Sequence, residues 1–117
     1  MQIQVITFRL NGITRADYDA LCQEAAPAYA ATPGLVSKVW LADESTNTYG
    51  GVYTWRDREA MEAFLKSELF RTVATHPRLA RLSSRVFAVL AAPSRITSST
   101  RGSPYQPDLC SGRDGAR

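Results

Sequence analysis

From Ile3 to Leu10 the chain alternates with a period of two, yet both sides of the alternation are rich in apolar residues. Ile3, Val5, Thr7 and Arg9 share one face, and Gln4, Ile6, Phe8 and Leu10 the other. β-Branched and aromatic residues at this spacing predict a strand. Asn11-Gly12 turns the chain, and Thr14 is placed to cap a helix whose first turn carries Asp17, the sign of charge the helix dipole favours there. Tyr18, Leu21, Cys22, Ala25 and Tyr29 then follow at helical spacing on one stripe. Pro27 interrupts the stripe by removing a backbone donor, so the helix is expected to kink or restart before it ends near Thr32-Pro33-Gly34.

A second strand is predicted over Leu35 to Ala42, with Leu35, Val39 and Leu41 on one face and Val36 and Trp40 on the other. The polar segment Asp43 to Thr48 suits a hairpin loop. A third strand, Tyr49 to Trp55, opens with Gly50-Gly51, where missing side chains imply a bulge or a close approach by another group. Asp57 stands as the cap of a second helix with Ala60, Met61, Phe64 and Leu65 on its buried stripe, and Ser67 restarts helix through Leu69, Phe70 and Val73 up to His76-Pro77. The last strand is predicted from about Leu82 to Leu90, with Ser84, Val86, Ala88 and Leu90 on one face and Arg85, Phe87 and Val89 on the other.

The order βαββαβ is the ferredoxin-like arrangement, an α+β fold in which a four-stranded antiparallel sheet carries both helices on one face. One helical layer leaves the other face open, and that face also carries apolar residues, over an area a soluble monomer seldom exposes. A second subunit is the simplest cover. Two sheets packed face to face form a homodimeric α+β barrel.

Composition divides by region. The net charge is +3, but Arg95, Arg101, Arg113 and Arg117 against Asp108 and Asp114 place most of it in the last 25 residues. The body is therefore nearly neutral and richer in apolar residues than the 44% of the whole chain. Residues 1–97 are expected to form the barrel domain. Residues 98–117, dominated by Ser, Thr, Pro, Gly and Arg without periodicity, are expected to be disordered and dispensable for the dimer.

Several function classes drop out. No run approaches the roughly 18 apolar residues of a membrane span, and the first residues lack the pattern of a leader, so a soluble, cytoplasmic protein is expected. Cys22, Cys110 and the single His76 supply neither a disulfide framework nor a metal ligand set. Nucleotide-binding glycine motifs and the Gly-x-Ser-x-Gly elbow are missing. The body's arginines are dispersed among acidic residues, which argues against nucleic-acid binding.

Pro33-Gly34-Leu35-x-x-Lys38-Val39-Trp40, then Gly50-Gly51-Val52-Tyr53, then Arg85-Val86-Phe87 followed by Pro93, resembles the YdhR-like monooxygenases. These are a branch of the antibiotic-biosynthesis monooxygenase type of dimeric α+β barrel. The resemblance covers residues 1 to about 97. It implies a homodimer with a pocket between sheet and helices that oxidises a small apolar, aromatic or polyketide-like substrate with dioxygen and no cofactor, neither metal nor flavin. Such chemistry needs a substrate that becomes a carbanion, with a base, a donor for the developing oxyanion and walls that exclude water. Lys38, His76 and Tyr53 are the candidates for the chemistry, His76 as base and Lys38 or Arg85 as cationic stabiliser. Trp40, Trp55, Tyr18, Tyr29 and Arg85 are the candidates for binding substrate.

Each candidate also has a structural explanation. Trp40, Tyr53 and Trp55 suit core or interface packing, and Tyr18 and Tyr29 a helical core stripe. Lys38, on the face of Val36 and Trp40, must pair with a carboxylate, as in an interfacial salt bridge, or open into a cavity. Arg85 carries the same choice, and His76 at a helix end suits the dipole. The same barrel supports a cyclase or isomerase acting by acid and base, or a dimer that binds a small molecule without turnover. A haem-degrading relative is a weaker alternative, since those proteins use a first-strand asparagine, near Thr7 here, and a helical tryptophan, for which only Phe64 and Phe70 stand.

Overall fold

A computed structural model describes residues 1–98. The elements are β1 (Gln2–Leu10), α1 (Arg15–Ala30), β2 (Leu35–Asp43), β3 (Thr48–Trp55), α2 (Arg58–Leu65), α3 (Glu68–Ala74), β4 (Leu79–Ala88) and α4 (Ala91–Thr97). The strands form one antiparallel sheet in the order β2-β3-β1-β4, the ferredoxin-like topology. The segment read as a disordered tail lies outside the described residues, Ser98 excepted.

The three cap residues act as their sequence positions suggest. Thr14 and Asp17 form a reciprocal capping box at α1. The Asp57 carboxylate accepts from the Ala60 N–H at 2.8 Å, and the Ser67 hydroxyl from the Phe70 N–H at 3.2 Å. Pro27 departs from expectation, because α1 runs through it to Ala30 as a single helix. The final turn survives the missing donor: Ala31 N–H reaches the Pro27 carbonyl at 3.1 Å, and Tyr29 is buried against the sheet. Packing of that aromatic offsets the lost backbone bond.

Two irregularities shift the predicted strand phases. In β2 the pairs Leu35↔Trp55 and Ser37↔Thr54 leave Val36 as an extra residue, so Leu35 turns to the helix side and Val36 to solvent. In β4 the pairs Thr7↔Ser83 and Arg9↔Ala80 place an extra residue near Arg81, whose φ is +58°. That bulge carries strand pairing back to Leu79, ahead of the expected start at Leu82, and the strand closes at Ala88. The chain then forms α4, which the sequence did not suggest. Pro93 fits its first turn, where a backbone donor has no partner to lose.

The helix-covered face holds the core: Ile6, Phe8, Tyr49, Tyr53 and Trp55 from the sheet, Tyr18 and Tyr29 from α1, Met61 and Phe64 from α2. Within it Gln4, fully buried, accepts from Trp55 Nε1 at 3.0 Å and donates to Ser84 Oγ at 3.1 Å. One side chain thus satisfies polar groups on β3, β1 and β4 together. The opposite face carries Ile3, Val5, Val39, Leu41, Val52 and Phe87, none of them fully buried.

Gly50-Gly51 resolves as close approach, the bulges lying elsewhere. A Cβ on Gly50 would collide with the Ile6 carbonyl oxygen, and its φ of +148° disfavours any side chain. Gly50→Ala is therefore expected to lose about 3 kcal/mol or more in urea unfolding; a loss under about 1 kcal/mol would show that β1 and β3 can separate locally at no real cost.

Candidate functional site

The tyrosine stripe of α1 is buried against the sheet. Below it β3 offers Gly51, and a Cβ there would come within 2.9 Å of Lys38 Cε and 3.4 Å of Tyr53 Cε1. The missing side chain is the space into which Lys38 folds, from the neighbouring strand, onto the helix-covered face. There Lys38 Nζ stands 3.4 Å from the ring centroids of both Tyr29 and Trp40, and 4.7 Å from that of Tyr53. All three distances lie inside the range of cation–π attraction.

This group borders a cavity of about 130 Å³ between sheet and helices. Tyr18, Leu21, Cys22, Ala25 and Tyr29 form its α1 wall; Phe8, Gly50 and Tyr53 its floor; Lys38 and Trp40 one side. Leu69, Thr72, Val73, His76 and Leu79 close it from α3 and the start of β4. Tyr29, Lys38 and Trp40 also line a shallow groove along α1 and the β2 edge, so these three separate the cavity from the outside.

No aspartate or glutamate lines the cavity, and among the described residues none is ion-paired with Lys38. Of the two options read from the sequence, the cavity is the one realised within the chain. Burial without a counter-charge pushes the Lys38 amine down to about 7, opposed weakly by Cys22. The same burial pushes the Tyr18, Tyr29 and Tyr53 phenols and the Cys22 thiol up. The Tyr29 and Tyr53 rings lie with centroids 6.0 Å apart, and Tyr18 and Cys22 stand one helical turn apart on the same stripe of α1. At neutral pH the cavity therefore offers an amine near its titration point among protonated phenols.

His76 borders the cavity half-buried, and its Nδ1 accepts the Arg78 backbone N–H at 3.1 Å. That bond occupies the Nδ1 lone pair, leaving Nε2 to carry the hydrogen in the neutral ring, which suits a donor better than a base. Six of the predicted residues thus meet at one cavity: Lys38, His76, Tyr53, Trp40, Tyr18 and Tyr29. Trp55 and Arg85 lie elsewhere. Trp55 is fully buried under Phe64 at 5.2 Å and stacks on Tyr53 at 6.0 Å. Arg85 pairs with Val5, so strand alternation turns it to the open face, over the Phe87 ring. Cys22 was legible only as a stripe position; its place on the cavity wall follows from where α1 sits.

Among the described residues no group of three or more histidine, cysteine, aspartate or glutamate side chains is placed to hold a metal ion. No helix among them is long and apolar enough to cross a membrane.

Solved structures share this fold. A point variant of SnoaB, a cofactor-independent oxygenase from Streptomyces nogalater, is 24% identical, with 76% of this chain and 92% of that one covered at a TM-score of 0.63. A Deinococcus radiodurans protein described as a "putative antibiotic biosynthesis monooxygenase" is 17% identical, with 76% and 92% covered at 0.64. The heme-degrader MhuD from Mycobacterium tuberculosis is 18% identical, with 77% and 96% covered at 0.62. A comparison with curated proteins returns no match.

The depressed lysine makes stability depend on pH. Unfolded lysine stays protonated to about pH 10.4, whereas the folded amine releases its proton around 7. The unfolded chain binds the extra proton between these values, so stability rises with pH there, by at most about 1.4 kcal/mol per unit. The raised thiol of Cys22 opposes this above its unfolded value near 8.5. Urea unfolding is expected to show the rise between about pH 7 and 8.5 and Lys38→Met to abolish it; an unchanged slope in the variant would assign the proton to another group. The model of the family described as "Putative mono-oxygenase ydhR" matches residues 3–100, and the chain belongs to that monooxygenase family.

Proposed function

We propose that the chain is a cofactor-independent monooxygenase that oxidises a small aromatic, enolic or polyketide-like molecule with dioxygen in the cavity between sheet and helices. The observation that carries this reading is the Lys38 amine, uncompensated by any carboxylate among the described residues and enclosed by Tyr29, Trp40 and Tyr53. A neutral amine takes the acidic proton of a phenol or enol, and the resulting ammonium stays beside the anion it has made. The Tyr53 and Tyr29 hydroxyls and the His76 ring are donors for the oxyanion, while the aromatic walls keep water from the carbanion until dioxygen adds. Trp40 and Tyr18 flank the ligand.

Its size narrows the ligand. About 130 Å³ falls below the roughly 300 Å³ at the lower end of drug-sized pockets, so a compact ring system fits better than a macrocycle. SnoaB, with the same fold, is a cofactor-independent oxygenase, which supports oxygen chemistry without a resident metal or flavin.

The working unit in this reading is a homodimer. The open sheet face presents Val39, Val52, Val5 and Phe87 together, and next to it Leu90, the cap of α4, and Ile96 within α4 are 72% and 84% exposed. A second copy laid on that face buries both sets at once.

Two experiments test this. With a panel of phenolic and enolic compounds, an oxygen electrode is expected to register uptake that Lys38→Met lowers by about 10²-fold. Conversion that proceeds equally without oxygen would instead make the protein an isomerase or cyclase, and binding without conversion a carrier. Sedimentation of the full chain is expected to give the dimer mass and Val52→Asp the monomer mass; a monomer before mutation would remove the barrel.

A further inference from the structure

We propose that Lys38 is a covalent nucleophile as well as a proton acceptor, and that the cavity captures β-dicarbonyl compounds by condensing one of their carbonyls with its amine. This rests on the cavity being the substrate site and names a substrate class for it. The geometry carries the step. Lys38 Nζ sits at the cavity mouth, 3.4 Å from the Tyr29 and Trp40 centroids, and is one of three residues shared by the cavity and the groove outside. A planar, enolic ligand entering there meets the nitrogen between two aromatic faces, with apolar walls beyond.

The titratable groups around that nitrogen suit condensation. They are Tyr18, Cys22 and Tyr29 on α1, Tyr53 on β3 and His76 ahead of β4, and none is a carboxylate that would hold the amine as an ammonium. A primary amine in an apolar pocket has its lone pair free to attack a carbonyl. The nitrogen adds to the carbonyl carbon to give a carbinolamine. The carbinolamine oxygen then leaves as water, taking one proton from the nitrogen side and one from the Tyr53 or Tyr29 hydroxyl on the cavity wall, which the central carbon's proton replenishes. The product is an enaminone joined to Lys38 through nitrogen: one diketone added, one water lost, no change of oxidation state. Its central carbon is electron-rich, the property that the proposed reaction with dioxygen requires, and hydrolysis returns the free amine.

The chain has only two lysines, Lys38 and the exposed Lys66, which makes the test clean. The full-length protein is incubated anaerobically with acetylacetone and, separately, benzoylacetone, then followed by near-ultraviolet absorbance and intact mass, with peptide mapping of the adduct. The expected result is one equivalent of diketone minus water on Lys38, formed on the order of 10²-fold faster than on Lys66 and several-fold faster than on Met1 at neutral pH, with a rate half-maximal near pH 7. Lys66→Arg should leave it unchanged and Lys38→Arg should abolish it. Mapping on the unmutated chain decides the matter even where Lys38→Arg fails to fold. Label confined to Lys66 or Met1, or no adduct with either diketone, would overturn the proposal.

Oxygen uptake measured after air is admitted to parallel samples separates the two readings. An adduct on Lys38 without uptake keeps covalent capture and discards the oxygenase; uptake without an adduct does the reverse.

Discussion

Among the described residues Lys38 has no carboxylate to neutralise it, and much of the surrounding packing accommodates that fact. Burial pushes the amine down toward neutral pH, while the ring faces of Tyr29 and Trp40 give whatever ammonium remains a place to sit. Gly51 supplies the room on β3, Tyr29 and Trp40 the flanking faces, and Tyr53 the floor. A carboxylate at any of these places would turn the group into an ordinary salt bridge and close its chemistry.

The fold makes this arrangement affordable by concentrating rigidity elsewhere. Tyr53 stacks on Trp55, Trp55 donates to Gln4, and Gln4 donates to Ser84, so a line of contacts ties the cavity floor through β3 and β1 to β4. Phe64 caps the buried end of that line and fills the space above Trp55. The cavity is therefore displaced toward Phe8, Leu79 and His76, where α3 covers the sheet less closely. Phe64 of α2 packs on both Trp55 and Tyr53, and Tyr53 also meets Tyr29 of α1, which brings it to the cavity.

Much of the architecture could be read from the chain. Period-two strands with two apolar faces, the capping residues Thr14, Asp57 and Ser67, and the βαββαβ order all act locally, through backbone geometry and side-chain spacing. What escaped were the places where a single residue alters phase. The bulge at Val36 and the left-handed Arg81 each shift a strand by one position, and no local signal separates them from regular strand. Pro27 misled in the opposite direction, because burial of Tyr29 outweighs a missing hydrogen bond and burial is not a local property.

The candidate site divides along the same line. By itself the sequence determined that Lys38 and Trp40 share a face, that Tyr18, Cys22 and Tyr29 share a stripe, and that Gly50-Gly51 admits a close neighbour, since these follow from alternation and helical pitch. Only the tertiary structure decided that the stripe lies over the glycines, that Lys38 bends into the resulting space without a counter-charge, and that Arg85 faces away. Those outcomes depend on the register between strands and on which helix covers which part of the sheet, both set by contacts between residues far apart in the chain.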